Sequence, residues 1–140
     1  MLVLDTNHIT ALGYSGDLGD RLRNRLFAAN QETATTIVNV EEQLRGWMAV
    51  INRLQDPHEQ IAAYSELNNR IDLFASWIVL PWDAESAEVY LRMKAQRIRI
   101  GTMDLKIASI AIVHDAVLLT RNTGDFAQVP GLRFENWLDE

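Results

Sequence analysis

The sequence of 140 residues contains no cysteine, which excludes a disulfide framework, a zinc site built from thiolates and a cysteine nucleophile. It also lacks any run of about 18 apolar residues, the length that a membrane-spanning helix requires. Residues 1–7 have neither the basic flank nor the long apolar stretch of a secretion signal. We therefore expect a cytoplasmic protein with no membrane partner.

Positive charge is also scarce. The chain has 13 Lys and Arg against 19 Asp and Glu, a formal net charge of −6, whereas non-specific nucleic-acid binders are usually basic. The three prolines and seven glycines are scattered, so no linker divides the chain. With 48% hydrophobic and 23% charged residues, the composition is that of an ordinary globular protein. We expect a single domain over residues 1–140, long enough to bury a core.

Short apolar runs alternate with segments in which apolar residues recur at helical spacing. The predicted strands are residues 1–4, 77–80, 116–120 and 132–135. The predicted helices are residues 17–30 and 37–54, one opened by Asp56-Pro57 and reaching Phe74, one capped by Asp83 and reaching Ile98, and residues 103–114. Residues 121–131 read as a loop with a short turn. This alternation predicts an α/β fold in three layers, with a central parallel sheet flanked by helices.

Three aspartates fall near the carboxyl ends of predicted strands, where open α/β sheets bind their ligands. Asp5 follows the first strand, Asp125 follows strand 116–120, and Asp104 lies in the first turn of a helix expected to begin near that edge. Each has a purely structural alternative. Asp5 could cap a helix, Asp104 could complement a helix dipole, and Asp125 could be a turn residue.

A fourth acid, Glu41 or Glu42, lies early in helix 37–54. The apolar stripe of that helix puts Glu42 on the opposite side and leaves open whether it faces solvent or a cleft. Carboxylates that converge on one edge repel one another unless a cation neutralises them. Oxygen ligands without cysteine suit Mg²⁺ or Mn²⁺, which can activate water for phosphodiester hydrolysis.

Four segments resemble, in order, the motifs of the PIN-domain family, and more closely its VapC-like toxins from bacterial toxin–antitoxin pairs. They are LVLDTN at residues 2–7, EQLRG at 42–46, GTMDLKIA at 101–108 and LTRNTGDF at 119–126. In this family a Glu stands four residues before a Gly, which selects Glu42 over Glu41. The resemblance implies a PIN-like fold and a ribonuclease dependent on Mg²⁺ or Mn²⁺. It also implies an RNA substrate, a cognate antitoxin and a homodimer.

The resemblance also implies an acidic catalytic and metal-binding site and its polar supports. The acids are Asp5, Glu42, Asp104 and Asp125, and the supports are Thr6 and Asn122.

A basic stretch precedes the helix of Asp104, with no acid among its charges: Arg92, Lys94, Arg97 and Arg99. These side chains could contact RNA phosphates, or they could form a solvated helix face. We interpret a second group, Arg21, Arg23 and Arg25, as solvated surface.

Two other functions stay open. One is a catalytically inert PIN-like module that binds protein or RNA. The other is a Mg²⁺-dependent phosphatase of the haloacid-dehalogenase type, which needs a second Asp where this chain has Asn7. Metal-dependent cleavage of RNA distinguishes the nuclease from both.

Overall fold

A parallel sheet of five strands forms the centre of the structure, a computed structural model that describes residues 1–13 and 16–139. The strand order is β3-β2-β1-β4-β5, and every neighbouring pair is parallel. The strands are β1 Leu2–Leu4, β2 Thr33–Thr36, β3 Ile78–Leu80, β4 Val117–Leu119 and β5 Arg133–Glu135.

Helices cover both faces of this sheet. They are α1 Thr6–Leu12, α2 Asp17–Ala29, α3 Ile37–Arg53, α4 Gln60–Ala75, α5 Ala84–Ala95, α6 Thr102–Val113 and α7 Thr123–Phe126. Because side chains alternate along a strand, Val3 packs with the residues of α5 and α6, whereas Leu2 and Leu4 pack with Ile9 of α1 and Phe74 of α4. The predicted three-layer α/β/α arrangement with a parallel sheet is therefore confirmed.

Helix α6 is buried against the sheet on one side and α5 on the other. Its residues Leu105, Ile107, Ala108, Ile110 and Ala111 are at most 3% exposed. Its sequence is therefore apolar nearly all round, as expected for a helix that packs on several sides. No helix in the described ranges has the length and apolar character needed to cross a membrane.

Strand β2 was not predicted, because its sequence Thr-Ala-Thr-Thr lacks an apolar run. It nevertheless lies inside the sheet between β1 and β3. Threonine is β-branched and suits a strand, and the Thr35 hydroxyl donates a hydrogen bond to the carbonyl of Leu4 at 3.0 Å. The sequence analysis therefore predicted four of the five strands of the sheet.

Two helix boundaries and one predicted loop also differ from the prediction. Helix α4 begins at Gln60, because the residues after Asp56-Pro57 form a turn first. Helix α5 ends at Ala95, so Ile98 lies outside it. The segment predicted as a loop with a short turn contains the four-residue helix α7.

The strand order reverses between β1 and β4, since β2 and β3 extend the sheet to one side and β5 to the other. Parallel α/β sheets bind ligands beyond the carboxyl ends of the strands at such a position. The two strand ends are joined there by a hydrogen bond of 2.9 Å from the backbone N–H of Asp5 to the carbonyl of Leu119. We therefore expect the predicted acids to lie at this edge of the sheet.

Candidate active site

Asp5 is the buried centre of a polar network at the strand reversal. It caps α1, and its Oδ1 accepts hydrogen bonds from the backbone N–H of Thr6 at 2.9 Å and from Asn39 Nδ2 at 2.8 Å. Its Oδ2 accepts a hydrogen bond from the Thr120 hydroxyl at 2.8 Å. The structure therefore shows that the capping role and the site position are compatible in one residue. The carboxylate is only 5% exposed and is held by three donors.

The amide of Asn39 is oriented by the way α3 begins. Thr36, at the end of β2, caps α3 by accepting from the backbone N–H of Asn39 at 3.1 Å, and its hydroxyl donates to Asn39 Oδ1 at 2.8 Å. Because Oδ1 is used as an acceptor, Nδ2 points towards Asp5 and the Thr6 hydroxyl, which lies 3.2 Å away. The predicted support Thr6 thus contacts the network through Asn39.

Asp104 and Asp125 are brought together by the predicted support Asn122. The Asn122 Nδ2 group donates to Asp104 Oδ2 at 2.9 Å and to Asp125 Oδ2 at 3.1 Å. The backbone N–H of Asn122 donates to the Thr120 hydroxyl at 3.0 Å. A chain of hydrogen bonds therefore runs from Asp5 through Thr120 and Asn122 to the other two aspartates.

Glu42 faces this cluster from the second turn of α3. Burial is the largest of the effects that together raise the pKa of Glu42 to about 7, and the negative charges of Asp5, Asp104 and Glu41 contribute the rest, in that order. Glu41 instead forms an ion pair with Arg45. The question that helix periodicity left open is thus answered, since Glu42 lies in a cleft among carboxylates.

Like-charge repulsion also acts on Asp104. Burial raises its pKa above the ordinary value, and the charges of Asp5 and Asp125 add to this effect, while the hydrogen bond from Asn122 opposes it. The four predicted acids therefore share one electrostatic environment. A group that binds there and carries positive charge would relieve the repulsion.

The donor set fits a hard divalent cation, because carboxylate oxygens are the ligands that Mg²⁺ and Mn²⁺ prefer. Within residues 1–13 and 16–139, however, no three acidic or histidine side chains converge closely enough to form a compact ligand group. Mg²⁺ commonly keeps several waters and binds through only one or two carboxylates. The arrangement therefore fits a hydrated ion better than a fully protein-ligated one.

His8, the one histidine close to the acids in sequence, has a structural position. It is fully buried, its Nδ1 lies 2.7 Å from Asn7 Oδ1, and its Nε2 accepts from the backbone N–H of Trp137 at 3.2 Å. Nε2 acts as an acceptor, so the ring is neutral and Nδ1 carries the hydrogen. Burial lowers its pKa to about 4, and the positive charge of Arg121 contributes in the same direction.

Two network residues, Asn39 and Thr120, were missed by the sequence analysis. Both side chains are completely buried, and both donate to Asp5. Asn39 was missed because β2 was missed, so nothing placed the start of α3 at the carboxyl edge of the sheet. Thr120 is the last residue of the predicted strand 116–120 and directly follows β4 in the structure, and its position at the carboxyl end of that strand was the available sequence signal.

The basic residues predicted to contact RNA are all exposed: Arg92, Lys94, Arg97 and Arg99. The Lys94 ammonium lies 5.7 Å from the ring centre of Tyr90. None of the four forms an ion pair with a described residue. Arg97 and Arg99 belong to the segment that joins α5 to α6, and therefore precede the helix end that carries Asp104.

Arg92 is placed differently. It lines a surface depression with Glu85, Glu88 and the C-terminal residues Ile112 and Val113 of α6. Ile112 is eight residues beyond Asp104, which is about 12 Å along a helix axis. The structure thus brings Arg97 and Arg99 nearer than Arg92 to the acidic end of α6.

Proteins named ribonuclease VapC are similar to this chain in sequence. Ribonuclease VapC1 of Rickettsia felis is 34% identical over 86 residues, which cover 59% of this chain and 62% of that relative. Ribonuclease VapC of Rickettsia bellii is 28% identical over 135 residues, which cover 94% of this chain and 92% of the relative. The chain thus spans less than two thirds of the first relative and nearly the whole of the second.

Solved structures share the fold. A DNA-bound VapBC from Salmonella typhimurium matches with a TM-score of 0.75 at 21% identity, covering 97% of both chains. FitAcB from Neisseria gonorrhoeae matches with a TM-score of 0.70 at 23% identity, covering 100% of both chains. The sequence model of the PIN domain matches residues 2–132, which include every acid of the candidate site. Because that match spans most of the chain, from β1 to the residue before β5, the chain belongs to the PIN-domain family.

Proposed function

We propose that this protein is a metal-dependent endoribonuclease and the toxin of a toxin–antitoxin pair. The observation that carries the proposal is the cluster of Asp5, Glu42, Asp104 and Asp125 at the strand reversal, where burial and then the charges of neighbouring acids raise the pKa values of Glu42 and Asp104. Relatives named ribonuclease VapC and structural neighbours described as VapBC complexes support the same activity.

In this proposal Asp5 is a fixed anchor and Glu42 handles protons. Three donors hold the Asp5 carboxylate, so it keeps one position throughout the reaction. Glu42 has a pKa of about 7, so near neutral pH its carboxylate can take a proton from a water that attacks phosphorus. The bond between phosphorus and the departing oxygen then breaks, and that oxygen takes a proton from solvent water, while Glu42 releases to solvent the proton that it accepted.

Asp5, Asp104 and Asp125 would hold the Mg²⁺ or Mn²⁺, with Glu42 contacting it directly or through water. The ion would supply charge stabilisation of the phosphoryl transition state and a more acidic bound water. Asn122 contributes by donating to one oxygen of Asp104 and one of Asp125, which fixes the relative orientation of the two carboxylates.

The remaining parts of the proposal concern partners. Near the acidic end of α6, Arg97 and Arg99 would contact RNA phosphates, with Lys94 and the more distant Arg92 extending the path along α5. A cognate antitoxin would block the acidic site, and a homodimer would form in the cytoplasm. Structural neighbours described as VapBC complexes support the antitoxin partner.

The test is cleavage of a fluorescent oligoribonucleotide by purified protein in Mn²⁺, in Mg²⁺ and with a chelator. We expect cleavage with either metal, none with chelator, and none by Asp104→Asn. The control Asp72→Asn removes the same charge from an exposed position of α4 and should cleave like the wild type. Binding without cleavage would favour the inert module. If the protein hydrolyses a small phosphate monoester and leaves RNA uncleaved, the result would favour the phosphatase.

A further inference from the structure

A cavity next to the acidic cluster contains a cation that the proposed chemistry does not use. The cavity has a volume of about 320 Å³ and lies between α1, α3 and α4. Glu42 forms part of its wall, so it opens beside the candidate active site. The other lining residues are Thr10, Gln43, Gly46, Trp47, Val50 and Arg70.

Arg70 is largely buried and poorly paired. Its side chain is 12% exposed, and among the described residues its one ion pair is with Glu66, whose Oε2 lies 3.7 Å from Nη2, beyond hydrogen-bond distance. Its Nε is buried and has no hydrogen-bond partner. Burying a guanidinium without acceptors is costly, so a purely structural role leaves this arrangement unexplained.

Among the described residues, no side chain of the cavity wall accepts a hydrogen bond from this guanidinium. Glu42 lines the same cavity but forms no ion pair with Arg70, so the acid and the cation stand on separate parts of the wall. Arginine presents a planar set of donors that matches the oxygens of a phosphate. An anion that enters from the side of Glu42 would supply acceptors for the terminal Nη groups of Arg70, which carry the accessible part of the guanidinium.

The other lining residues suit a nucleotide. Trp47 is half-buried, and aromatic rings of this kind stack on unpaired bases. Gly46 precedes it and has no atom within 4 Å of the place where a Cβ would lie, so the helix surface is open there. Glu42 lies one helical turn before Gly46 on α3 and belongs to the proposed cleavage site.

We propose that this cavity binds the nucleotide adjacent to the cleaved bond of a single-stranded RNA, with its phosphate on Arg70 and its base against Trp47. The inference rests on the proposed ribonuclease function and adds a substrate subsite to it. Arg70 is then a positioning residue, because it holds a phosphate that is not attacked.

The test measures RNA binding and protein stability separately. Arg70→Gln should bind a fluorescent single-stranded oligoribonucleotide roughly tenfold more weakly, measured by anisotropy in chelator, which prevents cleavage. Its slope of log affinity against log salt should shrink by about 0.7, the contribution of one phosphate contact on a single strand. Its melting temperature should not fall, because the substitution removes a largely buried charge whose ion pair with Glu66 is long, at 3.7 Å.

Two further variants keep the result interpretable. Arg53→Gln removes the same charge from an exposed position at the end of α3 and should match the wild type. Arg70→Lys retains the charge and should keep the salt slope while losing affinity. Wild-type protein that neither binds nor cleaves RNA would refute the proposed function itself. If the wild type binds and cleaves RNA, and Arg70→Gln has the same RNA affinity and salt slope as the wild type, the subsite is refuted while the proposed function stands. A loss of binding to a protein partner in Arg70→Gln would not rescue the subsite.

Discussion

Asp5 and Asp104 offer two substitutions that are identical in chemistry and opposite in expected effect on stability. Each Asp→Asn change removes one negative charge from the same cluster without changing side-chain size. If the acids were simply a mutually repelling group, both changes would stabilise the metal-free protein. The hydrogen bonds around the two residues predict otherwise.

At Asp5 the substitution damages a network in which every partner is a donor. An asparagine oxygen could keep the bonds from Thr6 and Asn39, but as neutral bonds, at a loss of roughly 1 kcal/mol each. The new NH₂ group would face Thr120, whose hydroxyl already accepts from the backbone of Asn122 and would lose the acceptor for its own hydrogen. That adds about 1 kcal/mol more, while relief of repulsion returns about 1 kcal/mol.

The net cost of Asp5→Asn is therefore about 2 kcal/mol. Average unfolding entropies give about 0.3 kcal/mol per degree for a chain of this length, so the melting temperature should fall by roughly 7 °C. Asp104→Asn can keep its bond from Asn122 through the amide oxygen, and it removes a carboxylate whose pKa is raised. Its melting temperature should equal or exceed that of the wild type.

The assay is scanning calorimetry near neutral pH with chelator present, on wild type and both variants. Both variants should fail to cleave RNA, so activity alone would not separate them. An Asp5→Asn protein as stable as the wild type would show that the three donors around Asp5 contribute nothing beyond offsetting repulsion. The account of Asp5 as a fixed anchor would then be wrong.

Three other predictions address the metal, the buried histidine and the basic stretch. Millimolar Mn²⁺ should raise the melting temperature of the wild type but not of Asp104→Asn; equal shifts would place the ion elsewhere. Because the folded pKa of His8 is about 4 and its ordinary value 6.5, the unfolded chain is protonated first on acidification. Urea unfolding should therefore show up to about 3 kcal/mol of stability lost between these pH values, and a smaller loss in His8→Gln. Lys94→Glu with Arg97→Glu should weaken RNA binding and reduce its salt slope while the Mn²⁺ shift persists; an unchanged slope would make this stretch solvated surface.

The fold was predictable because burial leaves a clear mark on most of its elements. Helix α6 is apolar all round because it packs on several sides, and the apolar stretch that contains β4 reads as a buried strand. Strand β2 was not predictable from hydropathy, because its threonines are buried while their hydroxyls find partners within the fold, as Thr35 does on Leu4. A polar sequence can therefore occupy a central strand when a neighbouring strand and helix supply acceptors.

The site was predictable to the extent that its residues carry charge. Asp5, Asp104 and Asp125 stood out because three carboxylates expected at one edge of a sheet repel one another, although each taken alone had a structural explanation. Asn39 and Thr120 did not, because a neutral side chain gains its role only from the geometry of what it contacts. The position of Asn39 depends on β2, because α3 begins directly after the end of that strand.

The division of hydrogen bonds within the cluster gives a physical reason for its composition. Asp5 has three donors, while Asp104 and Asp125 share the single amide of Asn122. Glu42 accepts no hydrogen bond from the described residues, and its pKa is raised to about 7. Hydrogen bonds donated to a carboxylate favour its charged form and fix its orientation, whereas a carboxylate that accepts none and lies among like charges takes up a proton more easily. The same edge of the sheet therefore combines rigid anionic groups, suited to holding a cation, with one acid left free to exchange a proton.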